Sequence, residues 1–262
     1  MTHFSRRTLK PILFGLFILT GACSTTSMKN AGNAAPQNDL HLYLLIGQSN
    51  MAGRAFYAEE DALPIPGVYL LNEKDEWEIA RNPLNRYSTI RKHISMQRMG
   101  PGYEFVKELR ARTPSTKIGL IVNAKGGSGI QEWKQGSYFY QEAVRRTQRA
   151  ISSGELKGVL WHQGETDQYD SDYLAKLEKL VQDLRVEFNN PELPFVAGQI
   201  NNIKLINDQI AELPSRVPYT EFVSSDGLIA VDEWHFDLAS MKLMGQRYAE
   251  KILLLQKQST NK

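Results

Sequence analysis

Residues 42–54 read LYLLIGQSNMAGR, an apolar run that stops abruptly at Gly47-Gln48-Ser49-Asn50. A short continuous apolar run bounded by polar turn residues is the pattern of a strand buried on both faces. The chain repeats it at KIGLIVNA (117–124), GVLWHQG (158–164) and FVAGQI (195–200), with YTEFVSS (219–225) as a last candidate. GVYLLN (67–72) and WEIA (77–80), separated by a polar Glu-Lys-Asp stretch, read as a short strand and a hairpin.

Helical patterns fill the intervals. GYEFVKELRAR (102–112) starts after the breaker Gly100-Pro101-Gly102. In 137–154, Tyr140, Val144, Thr147 and Ile151 share one face and Gly154 reads as the stop. In 171–188, Leu174, Leu177, Val181, Leu184 and Phe188 form one stripe, and 237–255 closes the chain as a helix. Buried strands alternating with amphipathic helices predict a parallel sheet covered on both faces.

Ligands of such sheets bind beyond the carboxyl ends of the strands. Four polar stops should therefore meet at one edge: Gly47-Gln48-Ser49-Asn50, Lys125-Gly126-Gly127-Ser128, His162-Gln163-Gly164-Glu165 and Asp232-Glu233-Trp234-His235. Taken alone, Ser49 reads as a helix N-cap. Taken with the other three, it is a candidate nucleophile that needs a base within hydrogen-bond reach.

The chain has five histidines. His3 belongs to an N-terminal leader, and His41 precedes Ser49 on the same strand, roughly 26 Å away if extended. His93 lies in a charged stretch with no acid nearby in sequence. His162, with Glu165 and Asp167 behind it, is the rival of His235, and its ordinary reading is a strand-end side chain fixing a loop. His235 is favoured because Asp232 stands three residues before it, a spacing that sets a carboxylate beside an imidazole. For an oxyanion, Gly126 or Gly127 offers a closely approached amide, Gln163 a side-chain amide and Ser49 its own N–H. Read singly, these are also a tight turn and a strand-end cap.

The ordered blocks GQSNMAGR (47–54), AKGGSGIQEW (124–133), GVLWHQGETD (158–167) and DEWHFD (232–237) resemble the SGNH hydrolase superfamily. Within it they resemble the sialate O-acetylesterase and acetylxylan esterase group, carbohydrate esterase family six. The resemblance runs from His41 to the terminal helix. It implies a flavodoxin-like three-layer α/β/α fold with a central parallel sheet over 40–262, and serine esterase chemistry with no cofactor or metal. By that resemblance Ser49 is the nucleophile, His235 the base and Asp232 the acid. Gly126, or Gly127 in its place, and Gln163 are the oxyanion donors. The substrate it implies is an acetylated carbohydrate: xylan, another glycan or O-acetyl sialic acid.

Two departures stand out, Lys125 where an apolar residue is expected and the bulky Glu233-Trp234 between acid and base. Met51 breaks the G-x-S-x-G elbow of α/β-hydrolases. Trp133 and Trp234 are candidates for sugar stacking or for packing. Arg54 and Glu165 are candidates for substrate contacts or for structural pairing. Three other readings compete: a carbohydrate-binding lipoprotein without turnover, a metal-dependent hydrolase on His162, Glu165 and Asp167, and an aryl or short-chain esterase on the same fold.

The N-terminus carries a separate signal. Basic MTHFSRRTLK, the short apolar PILFGLFILTGA and the sole cysteine, Cys23, read as a signal peptide over 1–22 followed by a lipid-modified Cys. Thr20 departs from the leucine usual in that motif. Small polar residues 24–39 then form a tether spanning roughly 20–25 Å. The expectation is an exported bacterial lipoprotein, held to a membrane through its N-terminal anchor. Cleavage before Cys23 removes Arg6, Arg7 and Lys10 and no acid, taking the formal charge from +2 to −1. A near-neutral chain without basic clusters argues against a nucleic-acid partner. Cys23→Ser should move the protein from the membrane fraction to the soluble one. An unchanged distribution and processing pattern would rule the anchor out.

Overall fold

The computed structural model describes residues 1–3 and 38–260. The signal-peptide residues beyond His3, Cys23 and the tether up to Gln37 lie outside them. The architecture below is that of the second of the chain's two compact units, residues 33–262.

Seven strands form one sheet: β1 (Leu40–Gly47), β2 (Val68–Leu71), β3 (Trp77–Ile79), β4 (Lys117–Val122), β5 (Gly154–His162), β6 (Phe195–Gly198) and β7 (Thr220–Val223). Their order is β3-β2-β4-β1-β5-β6-β7. All pairings are parallel except the β2–β3 hairpin. Without that hairpin, β4-β1-β5-β6-β7 has the flavodoxin-like order 2-1-3-4-5, whose switch point lies beside the first strand.

Six α-helices lie among the described residues: α1 (Ser49–Ala52), α2 (Gly102–Arg112), α3 (Tyr138–Ile151), α4 (Tyr173–Glu187), α5 (Lys204–Arg216) and α6 (Leu238–Thr260). The pleat of β1 sends Leu40, Leu42, Leu44 and Ile46 to the core shared with α3, α4 and α5. Tyr43 and Leu45 face the opposite core, with α2 and α6. Burial on both faces is why β1 reads as a continuous apolar run rather than an alternation.

Three local readings need correction. Ile151 is exposed at the end of α3, and Ala143 and Ala150 take the core positions beside Tyr140, Val144 and Thr147. Gly154 opens β5 instead of stopping the helix, and a Cβ there would lie 2.0 Å from the Leu40 carbonyl oxygen. Helix α5 is an element that the apolar pattern did not reveal. Its core face is only Ile206, Ile210 and Leu213, and Pro214 in its last turn reads as a breaker.

The carboxyl ends of β5 and β6 meet α6 beneath the site. Tyr248 of α6 donates to the Trp161 carbonyl at 2.7 Å and faces His162 Nδ1 at 3.2 Å. A Cβ on Gly198 would lie 2.1 Å from the Tyr248 hydroxyl and 2.5 Å from His162 Nδ1. Gly198→Ala should therefore overpack this contact and destabilise the fold by about 1–3 kcal/mol. Urea titration checks it: the midpoint should fall with the slope unchanged.

Candidate active site

All four polar stops meet at the carboxyl edge of the sheet. Ser49 is the first residue of α1 and buried; it does not cap the helix through its side chain. Its Oγ lies 3.0 Å from His235 Nε2, and His235 Nδ1 lies 2.8 Å from Asp232 Oδ2. The other Asp232 oxygen accepts the Trp234 and His235 amides at 2.8 and 2.7 Å. One carboxylate thus shapes the turn and orients the ring. Burial raises the Asp232 pKa, but the bonds from the His235 ring and the two amides outweigh it and hold the carboxyl below its ordinary value. An ionised Asp232 takes the Nδ1–H tautomer, which leaves Nε2 free to accept the Ser49 proton.

The turn bearing Asp232 and His235 is fastened at both ends. Val231 N–H donates to the His235 carbonyl at 2.8 Å, and Asp237 N–H to the Ile229 carbonyl at 2.9 Å. A residue that motif reasoning did not single out ties this turn to the segment bearing Ser49. Asn50 Nδ2 donates to the Trp234 carbonyl at 2.9 Å and to Glu165 Oε1 at 2.7 Å, while its Oδ1 accepts Phe236 N–H at 3.3 Å. The available signal was its place directly after Ser49, as a buried amide has to find partners on another segment.

The structure assigns His162 to the interior. It is fully buried against Tyr248 and Phe236, and burial lowers its pKa to about 3, so its ring is neutral. The other two members of the metal reading point elsewhere, Glu165 to Asn50 and Asp167 to Gln163 and the Ile130 amide.

Gln163 is corrected most sharply. Its Nε2 donates to Gln48 Oε1 and the Ser128 carbonyl, each at 3.0 Å, and to Asp167. The side chain is fully buried. Its amide is spent on joining the loops after β1, β4 and β5, so none of it is offered to an oxyanion. Trp133 is corrected too. It is fully buried, donates to Ser128 Oγ at 3.0 Å and packs edge-on against Trp161 at 5.5 Å, leaving no face for a sugar.

The Ser49 and Gly126 amides remain, and neither donates a hydrogen bond within the described residues. A Cβ on Gly126 would lie 3.6 Å from Ser49 Cβ, which puts that glycine beside the serine. Gly127 has φ +72°, a turn that favours glycine. A cleft of about 350 Å³ opens over them, with Arg54, Lys92, Glu165 and Trp234 among its walls. Burial, reinforced by the Asp167 charge, pushes Glu165 up to about 7 against the pull of its own backbone N–H and the Asn50 amide. Lys125 points away, its Nζ 5.8 Å over the Phe139 ring.

A sequence profile of the family described as carbohydrate esterase, sialic acid-specific acetylesterase, matches residues 39–254. A probable carbohydrate esterase of Arabidopsis thaliana is 30% identical, over 81% of this chain and 90% of its own length. The crystal structure of that Arabidopsis protein matches with a TM-score of 0.73 at 29% identity, over 84% of this chain and 99% of the other. NanS shares the fold with a TM-score of 0.69 at 16% identity, over 86% of this chain and all of the other. A carbohydrate acetylesterase from Xanthomonas citri shares it with a TM-score of 0.63 at 20% identity, over 83% of this chain and 57% of the other. With the profile spanning the domain from β1 into α6, the chain belongs to the carbohydrate esterase family of sialic acid-specific acetylesterases.

Proposed function

We propose that this carbohydrate esterase removes O-acetyl groups from a sugar or glycan through an acetyl-enzyme on Ser49. The observation that carries the reading is the relay from Ser49 Oγ through the His235 ring to Asp232, at 3.0 and 2.8 Å, on the wall of a solvent-filled cleft. The family description supplies the acetyl group and the carbohydrate.

In this reading His235 Nε2 takes the Ser49 proton as Oγ attacks the acetyl carbonyl carbon. Charge developing on the carbonyl oxygen is received by the Ser49 and Gly126 amides. As the tetrahedral intermediate collapses, the sugar oxygen leaves with the proton from Nε2. Water, deprotonated by the same nitrogen, then attacks the acetyl-enzyme and releases acetate. Asp232 stays ionised throughout and stabilises the imidazolium.

Ser49→Ala and His235→Ala should each abolish acetate release from an aryl acetate, and the double variant should lose little more, because members of a catalytic unit are non-additive. Asp232→Asn should be slowed by roughly 10⁴ in kcat through the wrong tautomer. A fully active His235→Ala would sink the assignment. The buried network makes a different demand on Gln163→Ala, which removes a donor shared by three loops and leaves the Ser128 carbonyl without it. It should cost about 1–3 kcal/mol of stability, read as a lower melting temperature. Its kcat per folded molecule should fall far less than the roughly 10²–10³ of a lost oxyanion donor.

A further inference from the structure

We propose that Arg54 is a further catalytic residue of this site: the Nη2 edge of its guanidinium faces the oxyanion and supplies the donor that Gln163 does not. This rests on the esterase reading above and adds a residue to its chemistry.

A Cβ on Gly126 would lie 2.3 Å from Arg54 Nη2 and 3.6 Å from Ser49 Cβ. The guanidinium and the serine therefore share one face of the glycine whose amide is a candidate oxyanion donor. Arg54 lies just past α1, and its Nη1 donates to the Gly53 carbonyl at 2.7 Å and the Met96 carbonyl at 3.0 Å. Those bonds fix the plane of the guanidinium, while Nη2 donates to no group among the described residues. A donor held in place with an unused edge can meet developing charge without reorganising.

The distribution of charge favours the same residue. Arg54 has no carboxylate partner among the described residues, and burial, then the neighbouring Arg98, lower its pKa. A guanidinium nevertheless keeps its proton across the working range of an imidazole base. The acid in the cleft wall, Glu165, is engaged by Asn50 and has its pKa pushed up to about 7, so near neutrality it carries only part of a negative charge. Lys92 Nζ would stand 3.3 Å from a Cβ on Gly127, but its side chain is exposed and solvent screens it. Arg54 is half-buried and keeps more of its field. A purely structural role accounts for Nη1 and leaves the Nη2 edge beside Ser49 unexplained. The glycine at 126 fits the same account. It has no positive φ, so alanine suits its backbone, and what a methyl group would displace is the end of Arg54.

Hydrolysis of 4-nitrophenyl acetate tests the assignment without any contact to a sugar. Arg54→Met should lower kcat by roughly 10²-fold with KM little changed, and Arg54→Lys, which keeps the charge, should lie between it and the parent. Gly126→Ala retains the backbone amide but pushes the guanidinium aside. It should lower kcat by a similar factor, and the double variant with Arg54→Met should lose little more than either single one, as expected of two changes that remove one interaction. Methylboronic acid, which adds to Ser49 Oγ as a tetrahedral anion, reads the charge directly. Its inhibition constant should rise in step with the fall in kcat, which a loop merely loosened around Met96 would not produce. A near-parental kcat in Arg54→Met, a loss confined to KM, full additivity with Gly126→Ala, or an unchanged boronate constant would each overturn the role of Arg54 alone. A parent protein that releases no acetate, or whose release survives Ser49→Ala, would overturn the esterase reading and Arg54 with it.

Discussion

The amide of Asn50 joins segments 184 residues apart in sequence, and the geometry of the site depends on it. Ser49 is fixed by the end of a buried strand, whereas Asp232 and His235 ride on an exposed turn after β7. Asn50 grips that turn on both sides of His235, through the Trp234 carbonyl and the Phe236 amide. Its remaining donor reaches Glu165, at the end of β5. Being fully buried, Asn50 has no water to exchange for these partners, so a shift of the turn would orphan polar groups at about 1–3 kcal/mol each. That penalty gives the 3.0 Å contact between Ser49 and His235 a definite position in an otherwise solvated loop.

Beneath this latch lies a second layer of amides with a different task. Gln163 and Gln48 face one another, and Gln163 reaches the loop after β4 through the Ser128 carbonyl. Parallel strands that end together leave backbone carbonyls and amides pointing out of the sheet without ladder partners. A glutamine that supplies donors there closes the gap between loops. Chemically, the same residue would make an adequate oxyanion donor, and composition at a strand end does not distinguish the two. The distinction lies in which way the amide faces, a property of three loops at once.

This explains how far the sequence could be read. The sheet was legible because burial on both faces leaves unbroken apolar runs, and the four strand stops were legible because polar residues end those runs. Ser49, Asp232 and His235 could be connected because a nucleophile requires a base and a base benefits from an acid three residues away. Helix α5 was not legible, as three core residues and a late proline leave little periodicity. Trp133 was ambiguous for a related reason: an indole following a catalytic block looks the same in sequence whether its face meets solvent or Trp161. Lys92 belongs to no motif at all, and only folding brings it to the glycine turn.

Two carboxyl groups at this edge are driven in opposite directions, and the contrast assigns their roles. Asp232 is largely exposed, yet its bonds from the ring and two amides outweigh the effect of burial and lower its pKa, so it is ionised across the neutral range. Glu165 is buried, with Oε2 unpartnered, and its pKa is raised to about 7. An imidazolium forming on His235 needs a fixed negative charge at Nδ1, and of the two groups only Asp232 both touches that atom and keeps its charge across the neutral range. Glu165 keeps its bond to Asn50 in either protonation state, because Oε1 accepts whether or not Oε2 carries a proton. The latch on the turn is thereby insulated from titration, while the charge that orients the His235 ring is held by the turn itself.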